Sequence, residues 1–458
     1  MDTVNYKVVR TLRCRDANIP GTLGKLATAI GHAGAEIGNI GTVHRGHHFT
    51  VRDIEVLVDS EQHLENLISE ISKLQEVTVL EVRDEVLELH KHGKIKTVNS
   101  IQIDSIDILQ KVYTPGVAEV CNLIAKQPEW KDTYTIIPNT IAIVTDGTAV
   151  LGLGNIGAVA GMPVMEGKSA LLYQLVGVSG IPILLNTTDP NQIIDTVRNI
   201  APTFAGIHLE DIASPRCFQI EETLDRELSI PVMHDDQRGT AVVTLAALLN
   251  ACKRTNISIQ EANIGVIGLG AAGFPVARFL FQYTGKPVLG ADKIKENIQR
   301  HVEHGGIAST VEEIMQKASI VIALTAVGGL ISSSMIKKGQ IIFALSNPYP
   351  EIAPEAAIAA GAVLAADGKT VNNLLSFPGI WRGALDAKAR KINFEMYKAA
   401  SLAIANATAE GELVPNSLDP KMHLKVAHSV AKAAIESGVA QRQLDDDYFE
   451  DTNLKASF

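Results

Sequence analysis

A phenol, an amine and four carboxylates stand outside any amphipathic pattern in this chain: Tyr113 in Tyr113-Thr-Pro-Gly-Val-Ala, Lys168 in Met165-Glu-Gly-Lys168, and the pairs Glu210-Asp211 and Asp235-Asp236. Those types point to metal-assisted acid/base chemistry. Three carboxylates can hold a hard divalent cation, which can chelate a 2-hydroxy acid and take up charge on its oxygens. A lysine beside a dication, set between apolar residues, loses its proton more readily and can act as a base near neutral pH; a tyrosine, with pKa near about 10, can return a proton to carbon. Acidic pairs also occur as helix caps and in turns. Here both pairs follow predicted strand ends, where open α/β sheets bind ligands.

Gly268-Leu-Gly270-Ala271-Ala272-Gly273 follows an apolar strand at 263–267 and opens a helical run through Phe281, the setting a dinucleotide fingerprint needs. Its glycines allow a tight turn and a close backbone approach, with helix N–H groups aimed at a pyrophosphate. A second strand ends at Asp292, which is placed to bond the adenosine ribose and to repel a 2′-phosphate, so NAD is preferred over NADP; Lys293 and Lys295 soften that preference. Gly152-Leu-Gly154-Asn-Ile-Gly157 matches the same spacing but lacks a second strand ending in an acid. It reads as a glycine turn shaping a substrate pocket.

Positioning these residues takes more than one domain, since 458 residues exceed the roughly 250–300 at which single cores stop growing. Residues 1–85 carry the order βαββαβ, with strands at 6–14, 36–43, 49–58 and 77–83 and helices at 22–33 and 61–74. A polar stretch, 85–107, reads as a link. Beyond it, short β-rich runs alternate with helical patterns, which predicts parallel sheets with helices on both faces, and residues 384–440 read as helices packed back onto the body. The expected fold class is α/β: a ferredoxin-like unit at 1–85, a substrate and metal domain at 95–235 completed by helices within 374–445, and a Rossmann domain at 236–373.

A net charge of −10 without any basic block argues against nucleic-acid binding. Cys14, Cys121, Cys217 and Cys252 are scattered, which suits a reducing compartment. Neither a signal peptide nor an unbroken apolar span is seen, so a cytoplasmic, non-membrane protein is expected. His44-Arg-Gly-His47-His48 falls at a predicted hairpin and reads as a solvated turn rather than a metal site.

Two resemblances add to this reading. The turn Asp16-Ala-Asn-Ile-Pro-Gly-Thr-Leu resembles the ligand-binding loop of ACT domains, which implies a small-metabolite effector bordered by Asn18, Ile19 and Gly21, or else a dimerising module without ligand. After residue 90, Tyr113-Thr-Pro-Gly-Val-Ala, Val144-Thr-Asp-Gly, Met165-Glu-Gly-Lys-Ser-Ala, Glu210-Asp-Ile-Ala, His234-Asp-Asp-Gln-Arg-Gly-Thr-Ala, Leu345-Ser-Asn-Pro and Asn372-Asn-Leu-Leu-Ser-Phe-Pro-Gly, together with the Gly152 turn, resemble the ordered signatures of malic enzymes. That family oxidises malate with NAD(P) and decarboxylates the product to pyruvate, using Mg2+ or Mn2+. The resemblance implies Glu210, Asp211 and Asp236 as metal ligands, Asp235 steering Lys168, Lys168 as the base, and Tyr113 as the acid that protonates C3 of enolpyruvate. It further implies that Asn347 and Asn373 bind the substrate carboxylate and hydroxyl, with Asn347 also near the cofactor, and that the enzyme is a homodimer or larger homo-oligomer. Two departures stand out: Thr148-Ala149-Val150-Leu151 occupies the place where many larger relatives carry a carboxylate-gripping arginine, and the segment before Asn372 is short. Rival readings are a malolactic-type lyase that keeps its NAD bound and makes lactate, and a non-catalytic metabolite sensor.

Overall fold

A computed structural model describes residues 8–150 and 152–450. The chain divides into two compact units at the Lys96–Thr97 junction.

In the first unit, strands β1 (Val8–Ala17), β2 (Glu36–Arg45), β3 (Phe49–Val58) and β4 (Val77–Arg83) form an antiparallel sheet in the order β2-β3-β1-β4. One face is apolar because Leu12 and Cys14 alternate with outward residues on β1, as Ile54, Val56 and Val58 do on β3. Helices Thr22–His32 and Glu61–Ile71 close that face with Leu26, Ile30, Leu64, Leu67 and Ile71. The βαββαβ order matches the sequence reading. The stretch read as a polar link instead begins with a helix, Glu85–His90, because the Asp84 side chain accepts the Leu87 N–H and so caps it. The histidine turn is a hairpin closed by Gly46 N–H to Phe49 O at 2.9 Å, and among the described residues it forms no metal-binding group.

The second unit holds two parallel sheets. β5 (Thr140–Thr145), β6 (Ser179–Leu184), β7 (Gly206–Leu209) and β8 (Val232–His234) lie in the order β6-β5-β7-β8. β5, β7 and β8 are buried throughout, as expected for strands covered on both faces. β9 (Ile264–Ile267), β10 (Leu289–Ala291), β11 (Ile307–Ala308), β12 (Ile320–Ala323), β13 (Ile341–Ala344) and β14 (Leu364–Asp367) form a six-stranded sheet in the order β11-β10-β9-β12-β13-β14, the doubly wound dinucleotide-binding order.

C-terminal helices complete the first of these sheets. In Phe377–Asp386, the indole of Trp381 lies against β7, where a Cβ on Gly206 would sit 2.3 Å from the ring. Gly379 and Gly383 let that helix approach Pro420–Glu436 closely, since a Cβ on Gly383 would stand 2.3 Å from Ala427 O. Phe394–Asn406 packs on Asp235–Thr255, joined by Ser401 Oγ donating to Val242 O at 3.0 Å. Among the described residues, no helix is long and apolar enough to cross a membrane.

Candidate active site

Lys168 lies on helix Ala158–Val176, whose buried positions Gly161, Met165, Lys168, Leu172 and Leu175 recur at helical spacing, so the amine occupies the core stripe of its own helix. Glu210 and Asp211 follow the carboxyl end of β7, and Asp235 and Asp236 follow that of its neighbour β8, where they open a helix. Pairing of β7 with β8 in parallel register therefore brings the two acidic pairs together. Glu210, Asp211 and Asp236 each offer an oxygen within 4.8 Å of the others.

Asp211 has φ of 55°, left-handed for a residue with a side chain. Such strain concentrates at functional sites. Its N–H donates to Asp236 Oδ2 at 3.2 Å, while its own Oδ2 is buried without a partner. Burial, reinforced by the charges of Glu210 and Asp236, pushes the Asp211 carboxyl up to about 9, and burial with Glu210 raises Asp236 as well. A divalent cation would relieve both effects, so the donor set fits one.

Lys168 Nζ donates to Asp235 Oδ2, lies 3.2 Å from Glu210 Oε1, and sits 4.5 Å from the Phe377 ring centroid. Burial alone would lower the lysine, but Asp235 and Glu210 outweigh it and hold the amine above its ordinary value. The neutral amine expected from the sequence depends on a dication beside it; without one, Asp235 and Glu210 favour the charged form. The same burial pushes the Asp235 carboxyl up against the pull of Lys168.

His208, Glu210 and Asp235 also converge, yet they suit a cation less well than Glu210, Asp211 and Asp236. Both His208 ring nitrogens are engaged, by Trp381 Nε1 at 2.9 Å and Glu210 Oε2 at 2.7 Å, and the Lys168 ammonium contacts both Glu210 and Asp235. Burial drives His208 down to about 3, so it is neutral. His208 and Trp381 were not singled out in the sequence, because a histidine inside a strand and a tryptophan in a helix carry no local signature. Glu221, which accepts the His234 N–H at 2.9 Å and pairs with Arg238, gave no signal either.

The glycine turn has the strand-turn-helix form its spacing predicts. Gly268 follows β9 with φ of +88°, and a Cβ on Gly273 would collide with Gly268 O at 1.8 Å, so neither position tolerates a side chain. Gly270 has open space beside it, and Ala271 and Ala272 lead into helix Gly273–Thr284. Asp292 ends β10 as expected, but its carboxylate is already employed: Oδ2 accepts Leu269 N–H at 2.6 Å and Asn297 Nδ2 at 3.1 Å. The residue braces the glycine turn.

The other glycine turn abuts the Asn347 loop, with a Cβ on Gly152 only 3.0 Å from Pro348 Cδ. Arg216 ties that turn's approach to the acidic pair by donating to Asp146 Oδ2 at 2.9 Å and to Thr148 Oγ1 at 2.5 Å. Asn373 begins a short 3-10 turn, and its carbonyl accepts Ser376 Oγ, which also reaches Gly239 O on the helix of Asp235.

Tyr113 is not gathered into this cluster. It caps helix Ile106–Val112 with its ring 67% exposed, and no hydrogen bond among the described residues ties its hydroxyl to Lys168 or the carboxylates. In the first unit, Asn18 is consumed by the fold: Nδ2 donates to Gly46 O at 2.6 Å and Oδ1 accepts Thr50 Oγ1 at 2.5 Å. Beside it, Ile19 is 58% exposed and Gly21 has φ of +94°.

Comparison with known proteins agrees with this geometry. The malic enzyme N-terminal domain matches residues 91–192 and 187–225, and the malic enzyme NAD-binding domain matches 237–314 and 291–439. The chain belongs to the malic enzyme family. An ACT domain matches residues 4–81. Among malic enzymes, the chain is 53% identical to NAD-dependent malic enzyme 1 of Bacillus subtilis, over 93% of this chain and 98% of that one. It is 40% identical to a bifunctional malic/malolactic enzyme of the same organism, over 80% and 96%. A malic enzyme from Pyrococcus horikoshii superimposes with a TM-score of 0.75 at 40% identity, covering 80% of this chain and 93% of that one.

Proposed function

We propose that this malic enzyme converts (S)-malate to pyruvate and CO2 while reducing NAD, with Mg2+ or Mn2+ held by Glu210, Asp211 and Asp236. The observation that carries the reading is the triad of carboxylates at the ends of β7 and β8 with the Lys168–Asp235 pair beside it. When bound, the cation would polarise the substrate oxygens and stabilise enolate charge, and NAD would accept the hydride from C2.

The chain's own residues do the rest. Lys168 Nζ passes a proton to Asp235 Oδ2, whose affinity for it burial has raised, and then takes the proton of the C2 hydroxyl. Glu210 Oε1, 3.2 Å from Nζ, holds the amine in place. Asn347 and Asn373 orient the substrate carboxylate and hydroxyl. Tyr113 enters as the acid for C3 on the family motif alone. A run of exposed apolar side chains, Ile101, Ile103, Ile106 and Leu109, supports a homo-oligomer. Four free cysteines suit the cytoplasm.

The bifunctional relative keeps a second reading open, in which NADH stays bound and pyruvate is reduced to lactate. Absorbance at 340 nm with malate, Mn2+ and NAD or NADP, with the product identified, separates the two. Free NADH and pyruvate are expected; lactate without net NADH would show the lyase, and no turnover with any cofactor would sink both.

A further inference from the structure

Behind the acidic cluster, a separate cavity of about 190 Å³ opens between helices Arg216–Glu227, Asp235–Thr255, Gly273–Thr284 and Phe394–Asn406. Two of its charged residues satisfy each other. Arg238 donates to both Glu221 oxygens, through Nη2 at 2.9 Å and Nε at 3.1 and 3.2 Å, and lies 5.9 Å from the Tyr397 ring.

Three further polar groups line the same space without a direct hydrogen bond among the described residues. Arg278 makes no hydrogen bond or ion pair among the described residues, although Glu221 and Glu222 act on it at longer range. Asp225 makes no hydrogen bond or ion pair among the described residues; burial, with Glu221, holds its carboxyl above the usual range against the longer-range pull of Arg238 and Lys391. Tyr397 is only 6% exposed and lines the cavity, and its hydroxyl has no hydrogen bond among the described residues. A half-buried cation, a half-buried carboxylate and a phenol facing one cavity offer both signs of charge and a hydroxyl to a ligand. The remaining wall is apolar, with Val242, Phe279 and Ile392.

We infer that this cavity is a binding site for a small α-amino acid, its carboxylate on Arg278, its ammonium on Asp225 and its aliphatic side chain on the apolar wall. Each charged pairing uses a group without a direct hydrogen bond or ion pair among the described residues, and the volume suits a handful of heavy atoms rather than a nucleotide. The site is distinct from the acidic cluster, and no malate chemistry is assumed. It adjoins that cluster mechanically, because Glu221 on its wall also accepts the His234 N–H, directly before Asp235 and Asp236.

Calorimetric titration of the full chain with L-alanine, L-valine and L-leucine tests this, beside isovalerate and isobutylamine, which each keep only one of valine's two charges. At least one amino acid should bind, and each single-charge probe should bind at least about tenfold more weakly than valine. Arg278→Met and Asp225→Asn should each weaken amino-acid binding by about tenfold or more, and Tyr397→Phe by less. Because Arg278 has no partner to lose, its variant should keep the parent Tm. Gly21→Val, in the other unit, should leave the affinity unchanged. No heat from any of the three amino acids up to about 10 mM, the weak end of small-molecule affinities, overturns the proposal, as does affinity that survives all three cavity substitutions or is lost with Gly21→Val alone.

Discussion

The indole N–H of Trp381 donates to His208 Nδ1 at 2.9 Å, across 173 residues of sequence. Because an indole can only donate, Nδ1 must accept, so the single proton of the neutral imidazole sits on Nε2 and is given to Glu210 Oε2. A tryptophan in the C-terminal helices thereby sets the orientation of a carboxylate at the end of β7. Trp381→Phe should lower stability by about 1–3 kcal/mol, the cost of a buried acceptor left unpaired, and weaken Mn2+ activation by about tenfold, as loss of a ligand's supporting bond does. Chemical denaturation and Mn2+ titration check the two effects separately. Unchanged Mn2+ dependence in a destabilised variant would reduce Trp381 to packing.

Lys168→Ala should lower kcat by about 10²- to 10⁴-fold, with Mn2+ binding largely retained because Glu210, Asp211 and Asp236 remain. Steady-state kinetics together with Mn2+-induced change in Tm test this. A variant of near-parental kcat would remove Lys168 from the chemistry.

The two adjacent aspartates should separate by function. Asp235 is fully buried against Lys168, whereas the Asp236 side chain is 29% exposed and faces Asp211. Asp236→Asn should abolish most of the Tm gain from Mn2+, and Asp235→Asn should keep that gain while losing kcat. Equal Mn2+ responses in the two variants would contradict the assignment.

Asp211 gives the metal-free protein a pH signature. Burial holds its folded pKa at about 9, above the 3.8 of an ordinary aspartate, so the folded state holds a proton the unfolded chain has released, and stability falls as pH rises through that interval. Between about pH 7 and 9 the His208 contribution is already complete, because its folded value is the lower one and its effect is lost only on acidification below about 6.5. Tm of the metal-free chain should therefore drop from pH 7 to 9, and Mn2+ should raise it more at pH 9 than at pH 7. A flat profile, or the same drop in Asp211→Asn, would assign the effect elsewhere.

Asp292→Ser should weaken NAD binding as well as change the NAD/NADP ratio, because its carboxylate holds the Leu269 N–H inside the glycine turn. Isothermal titration with NAD checks this. An altered kcat/KM ratio with unchanged NAD affinity would show that the brace is dispensable.

Local pattern carried much of this protein in the sequence. Strand-then-glycine spacing marked the Gly268 turn, and β9 and β13 fall where apolar runs predict them, because a strand buried on both faces needs an unbroken apolar segment. Paired carboxylates after strand ends were legible for the same reason: their types and spacing are unlike a solvated face. What sequence could not supply was everything set by contacts between distant segments. What holds Lys168 is Glu210 after β7 and Asp235 after β8, neither of which its apolar sequence neighbours announce. Asp292 reads as a ribose ligand from spacing; that it also accepts the Leu269 N–H and the Asn297 amide shows only in the folded chain. Asn18, expected beside an effector, also ties the hairpin through Gly46 and Thr50, a role its sequence neighbours do not show. Hydrogen bonds and charge act over a few ångströms, and only the folded chain decides which groups lie that close.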